Sequence, residues 1–204
     1  MDELFGIFGQ GGWVMWALLG TSLVAWALIV FKAIELLGEG ASARKVAPVL
    51  GRLHEGRRLE AMELCQRHDG CVARVLLAAI SAGGQSRDLH KRHLAPLLEG
   101  ESLDLRRHLS LIAQLAVVAP LLGLLGTVLG MIDTFTAITA HGVDDAASLA
   151  AGVSKALITT EAGLLVAVPI LLLHGYLSSR AQQLIDTATL YAKKVQNMAH
   201  ADRG

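Results

Sequence analysis

Residues 119–134 read Ala-Pro-Leu-Leu-Gly-Leu-Leu-Gly-Thr-Val-Leu-Gly-Met-Ile-Asp-Thr. Asp133 is the only ionisable side chain in that stretch. Extended toward the N-terminus, the run carries no charge from 108 to 132 apart from His108. A membrane-spanning helix needs about 20 mostly apolar residues, and this run supplies them.

The same reading applies elsewhere. Residues 4–31 carry no charge, and residues 162–179 carry none apart from His174. Over the 204 residues, 53% are hydrophobic and only 18% are charged, against about 25% charged in a soluble domain. These runs predict an integral, all-α membrane protein with three transmembrane helices at 12–33, 110–139 and 153–178. The acidic start, Met1-Asp2-Glu3-Leu4, is not that of a secretory signal peptide, which opens with positive charge. Ala25-Trp26-Ala27 looks like a cleavage site, but the apolar run continues to Phe31, so the first span is read as retained. Lys+Arg and Asp+Glu both number 18, which gives no case for nucleic-acid binding.

The basic residues set an orientation. Thirteen of the 18 lie between Lys32 and Arg107, four lie in the tail 179–204, and residues 1–11 have none. Lys155 stands at the start of the third span, after a connection that has none. The positive-inside rule then places the N-terminus outside and the C-terminus inside, a parity that three spans require. Trp13 and Trp16 fall near the outer end of the first span, where interfacial aromatics are favoured.

The inner segment 32–108 reads as helical. Val46, Val49, Leu50 and Leu53 recur at helical spacing, as do Val72, Val75, Leu76, Ala79 and Ile80. Gly83-Gly84 breaks the pattern and Ser86 suits a new helix start. Leu105, Leu109 and Ile112 run without a breaker into span two, which predicts one continuous helix there. Leu184, Ile185, Ala188, Tyr191, Ala192 and Val195 continue span three in the same way. Both helices are therefore expected to project beyond the bilayer on the inner side.

Small residues suit close helix packing: Gly123, Gly126 and Gly130 in span two, Ala162, Gly163 and Ala167 in span three. Pro120 and Pro169 are candidate kinks. The polar residues raise a functional question. Thr127 and Thr134 are seven apart and share a face, and Thr160 falls on a common face with Ala167 and His174. Such hydroxyls either line a weakly polar path or bond to helix carbonyls, and spacing leaves both open. Glu161 is costlier: a charge at bilayer centre costs ~2.5–3.5 kcal/mol or more, so the carboxyl is expected to be hydrogen-bonded as the neutral acid. One position from Thr160, and so ~100° around the helix, it is expected to point toward span two or a neighbouring subunit. It is read either as a structural link or as part of a proton path. Asp133 lies near enough to the outer end to reach water, and Lys155 is expected to snorkel there.

Two stretches carry a family resemblance. Ala119 to Gly130, APLLGLLGTVLG, and Gly152 to Pro169, GVSKALITTEAGLLVAVP, resemble the MotA/TolQ/ExbB proton-channel family, most closely its ExbB/TolQ branch. The resemblance covers about 101–180. It implies a homopentamer in the bacterial inner membrane whose second and third spans line a pore. It also implies a pair of ExbD-like single-span helices inside that pore, whose aspartates take up protons, and a TonB-like protein that receives the work. Thr127 and Thr160 match the family's pore-facing threonines, while Pro120, Gly123, Gly126 and Pro169 match its structural positions. Lys155 departs from the pattern, since many ExbB and TolQ chains have Glu there.

On this reading the chain divides into 1–33, a periplasmic segment and first span; 34–108, a cytoplasmic helical region; 109–180, the channel core; and 181–204, a cytoplasmic C-terminal helix. The expected pathway residues are Thr127, Thr160, Thr134 and Glu161, and the expected packing residues are Pro120, Gly123, Gly126, Gly130, Gly163 and Pro169. Beyond the protein partners, the chain would contact membrane lipids. His54, His68, His90 and His93 read as a solvated face rather than a metal site, and Cys65 and Cys71 as reduced thiols. No cofactor, metal or catalytic centre is expected. Ser154 and Lys155 are adjacent, so they do not face each other as a protease pair would. The expected function is ExbB-like coupling of proton motive force to TonB-dependent outer-membrane transport. A TolQ-like envelope role and a purely structural membrane scaffold stand as alternatives.

Overall fold

The computed structural model describes residues 11–83, 87–141 and 146–201. Gly84 and Ser86 lie outside the described residues, as does the side chain of His90. Among the described residues all regular structure is helical. The helices are α1 (Trp13–Val46), α2 (Val49–His54), α3 (Arg58–Gln66), α4 (Cys71–Ser81), α5 (Arg87–Arg106), α6 (Leu109–His141) and α7 (Ala146–Ala201).

Among the described residues three helical stretches are long and apolar enough to cross a membrane, one each in α1, α6 and α7, with mean hydropathy of 2.2, 2.3 and 2.2. Large apolar side chains are exposed along all three, among them Leu23 and Phe31 of α1, Leu121 and Leu124 of α6, and Leu165 and Leu172 of α7. A helix that is apolar on every face needs lipid or protein around it. α7 runs unbroken for 56 residues, roughly 84 Å at ~1.5 Å per residue.

Span two departs from the continuous helix that its apolar spacing predicts. α5 ends at Arg106 and α6 begins at Leu109, and between them His108 adopts φ +68°. That left-handed conformation is uncommon for a residue with a Cβ, though His is among the types enriched in it. The apolar pattern continues across the break, so spacing gives no sign of it.

The fold divides into two compact units, residues 1–30 with 108–175, and residues 31–107 with 176–204. In the first unit Val14, Met15 and Leu18 of α1 form one buried cluster with Ala119 of α6 and Ala167 of α7. Thr21 donates to the carbonyl of Ala17 at 2.8 Å, the usual way a span absorbs a hydroxyl.

The second unit centres on α4, an eleven-residue helix with seven buried side chains from Cys71 to Ile80. Both its ends are capped from elsewhere. The Glu39 carboxylate of α1 accepts from the Cys71 backbone N–H at 2.7 Å, placing negative charge at the helix N-terminus. Arg58 donates to the carbonyl of Ile80 at the other end. Arg74 leaves α4 on the polar side and forms a two-pronged pair with Glu101 of α5, both contacts at 2.6 Å. Lys32 is fully buried and donates to Glu35 at 2.8 Å and to the Asp104 carbonyl at 3.3 Å.

Candidate functional site

α6 and α7 meet along a seam of small residues. On α6 these are Ala119, Gly123, Gly126, Gly130 and Thr134; on α7 they are Gly152, Ala156, Thr159 and Gly163. The pairs run in opposite directions along the two helices, from Thr134 with Gly152 to Ala119 with Gly163, so the helices are antiparallel. The contact is close enough to require glycine. A Cβ on Gly123 would stand 2.9 Å from the Thr159 carbonyl oxygen, one on Gly130 2.7 Å from the Gly152 carbonyl oxygen, and one on Gly163 2.8 Å from that of Ala119. A Cβ on Gly126 would overlap the hydroxyl of Thr159. In a bilayer, helices associate by such close backbone approach, because lipid is as apolar as Leu and provides no hydrophobic drive.

The hydroxyls of the seam are satisfied within it. Thr159 is fully buried and bonds to the carbonyls of Lys155 at 2.9 Å and Ala156 at 3.0 Å. Thr134 is buried, bonds to the Gly130 carbonyl at 2.9 Å and abuts Gly152. Thr127 and Thr160 each directly follow a member of the Gly126–Thr159 contact. In antiparallel helices a step of ~100° past such a contact turns both side chains to the same side of the seam. Thr127 donates to its own helix at Leu124 O, 2.7 Å away. Thr160 lies 3.3 Å from the Ala156 carbonyl and 3.4 Å from the Gly123 carbonyl across the seam. The structure thus brings Thr127 and Thr160 together on one flank, while Thr134 is enclosed between the helices.

Glu161 is exposed on α7. Of the two directions expected, toward span two or toward a neighbouring subunit, exposure on the single chain speaks against the first. Pro120 and Pro169 lie inside continuous helices.

Asp133 and Lys155 occupy the other flank. Each directly precedes a seam residue, Thr134 and Ala156. Lys155 Nζ donates to Asp133 Oδ2 at 2.6 Å, so the ammonium is held across α6 and α7 rather than reaching out alone. Its stem also lies under the start of α1, where a Cβ on Gly12 would stand 3.2 Å from Lys155 Cε. Sequence reasoning named both residues without pairing them, and it passed over Thr159 and Gly152. The spacing 152, 156, 159, 163, 167 on α7 mirrors 119, 123, 126, 130, 134 on α6, and that shared small-residue stripe is the signal that locates the seam.

Comparison with known proteins shows the family. The model of the MotA/TolQ/ExbB proton channel family matches residues 67–189. A protein named as a biopolymer transport protein ExbB homolog in Methanothermobacter thermautotrophicus is 27% identical over 96% of this chain and 70% of its own length. The biopolymer transport protein ExbB-like 3 of Synechocystis is 33% identical over 79% of each chain. The Tol-Pal system protein TolQ of Pseudomonas aeruginosa is 28% identical over 53% of this chain and 47% of its own. The family match takes in α6, the seam and the apolar part of α7, and with three apolar spans it describes a multi-pass membrane protein: the chain belongs to the MotA/TolQ/ExbB proton channel family.

Proposed function

We propose that the chain is the ExbB-like subunit of a proton channel in the bacterial inner membrane, oriented with its N-terminus outside, and a transport component rather than an enzyme. It couples proton motive force to TonB-dependent outer-membrane transport. The observation that carries this reading is the pairing of Thr127 and Thr160 on one flank of a glycine-tight seam. In this reading five copies place that flank around a central pore. An ExbD-like single-span partner supplies the titrating aspartate there, and a TonB-like protein receives the resulting motion. Each threonine hydroxyl both donates and accepts, so a ring of them lines a proton path without titrating itself. One charge crossing 100 mV releases ~2.3 kcal/mol, so a few protons drive a conformational step. Glu161, on the exposed face of α7, sits where a neighbouring copy or the partner packs. The TolQ relative supports a TolQ-like role in the Tol-Pal system as the second reading.

The test is co-expression with an ExbD-like protein, native mass spectrometry of the complex, and proton flux in vesicles carrying a pH dye. Five copies of this chain with partner-dependent flux is the expected result. An assembled complex that passes no protons leaves a structural scaffold instead.

A further inference from the structure

A groove of about 140 Å³ lies between α1 and α7 in the second unit, lined by Leu36, Gly40, Arg44, Arg180, Gln183 and Thr187 with Leu184 at its side. Its lining holds two guanidiniums and no carboxylate. Every ion pair among the described residues uses other basic groups, so neither Arg44 nor Arg180 has a carboxylate partner there. Arg180 Nη1 donates to Gln183 Oε1 at 3.3 Å, and this orients the Gln183 amide so that its NH2 is left as a further donor. Two charged forks and an amide therefore converge on one small polar groove. Planar guanidiniums recognise tetrahedral oxyanions through paired hydrogen bonds.

The position of the groove narrows the ligand. Arg180 is the first charged residue after the uncharged run of α7, and Leu36 lies four residues past Lys32, the first charged residue after that of α1. The groove thus starts where both uncharged runs end, close to the level of lipid phosphates, and continues about 12 Å along α1 from Leu36 to Arg44. Gly40 widens it: nothing lies within 4 Å of where its Cβ would be.

We propose that this groove is a phosphate-binding site, engaged by Arg44, Arg180 and Gln183, that takes an anionic phosphate group at the membrane surface. Either an anionic phospholipid headgroup or free phosphate offers that chemistry, and the experiment separates them. The full-length protein is purified in detergent and titrated with dioleoyl phosphatidylglycerol, with dioleoyl phosphatidylcholine and with inorganic phosphate, followed by native mass spectrometry and thermal melting. The comparison uses Arg44→Gln/Arg180→Gln and, separately, Gly40→Leu. Gly40→Leu keeps both charges, places its Cβ where no neighbour lies within 4 Å, extends its side chain into the groove and replaces a helical glycine by a stronger helix former, and its melting temperature checks that it folds. Expected is a loss of phosphatidylglycerol adducts by fivefold or more in both variants, with phosphatidylcholine binding weak throughout. Adducts that survive millimolar inorganic phosphate assign the site to lipid. Adducts displaced by phosphate, with a phosphate-induced rise in melting temperature that both variants lose, assign it to the free anion. Adducts lost in the arginine variant but kept in Gly40→Leu reduce the effect to surface charge and overturn the site, as do unchanged adducts in both.

Discussion

Gly126 of α6 lies directly against the side chain of Thr159 of α7, with the hydroxyl of Thr159 in the space that a Cβ on Gly126 would take. Thr159 cannot swing away, because it is fully buried and holds two carbonyls of its own helix. Gly126→Val therefore forces the helices apart. The expected loss is about 1–3 kcal/mol, the usual cost of overpacking a tight contact. Thermal melting in detergent checks it, with Gly175→Ala as the control, since no neighbour lies within 4 Å of Gly175. Equal melting temperatures for the two variants would contradict the seam.

The Asp133–Lys155 pair predicts charge-swap rescue. Its side chains are 55% and 25% exposed, so the pair contributes only about 0.2–1 kcal/mol. Asp133→Lys alone sets two ammonium groups together and should lower the melting temperature. Adding Lys155→Asp should restore most of the loss. Without rescue, the contact does not hold the helices.

Thr127→Val and Thr160→Val keep shape and remove a hydroxyl. Both are expected to leave the oligomer intact, because neither hydroxyl is enclosed in the seam. Proton flux and energy-dependent uptake should fall in each. Full activity in both would leave these hydroxyls with only their helix-carbonyl bonds. Thr159→Val, by contrast, should reduce the amount of assembled complex.

Glu161 is exposed on the single chain, and the proposed function sets it against another copy or the partner. Glu161→Gln preserves size and most hydrogen bonds, while Glu161→Ala preserves neither. Near-normal flux in Gln with a weakened oligomer in Ala is the expected pattern, that of a structural link. A well-assembled Gln variant without flux would instead make the carboxyl a proton relay.

The two thiols of the second unit should be inert. Burial pushes Cys65 up to about 11 and Cys71 up to about 12, with Glu101 and Glu39 adding to the effect at Cys71. Each thiol stays neutral in the folded protein while its unfolded counterpart ionises above the ordinary 9.0. Their contribution to stability is fully present below that value and is lost as pH rises through the folded values. Iodoacetamide at pH 8 should label neither before denaturation, because only thiolates react. Rapid native labelling would show the unit to be open.

The spans were legible because charge is absent over long runs, a signal that bilayer physics makes strong. The glycines of α6 were legible as packing positions for the same reason. The partner of each was not, since pairing depends on which face of α7 turns inward, and Thr159 and Thr160 are adjacent residues of the same type of which only Thr159 is buried. The break at His108 was hidden by Leu105, Leu109 and Ile112, whose spacing continues across it. The caps of α4 were out of reach, because Glu39 and Cys71 lie 32 positions apart and only the fold brings them together.

The ion pair across α6 and α7 also bears on how the chain enters a membrane. Asp or Lys carried on an inserting helix costs up to ~2.5–3.5 kcal/mol at the bilayer centre and less toward its ends. Asp133 and Lys155 sit on successive spans, close to the connection between them. If the two helices leave the insertion machinery as a hairpin, the charges meet before either faces lipid, and the hairpin partitions as a neutral object. On that route α6 and α7 insert as a pair. A variant that loses one charge would be handicapped at the translocon before its folded stability was ever tested.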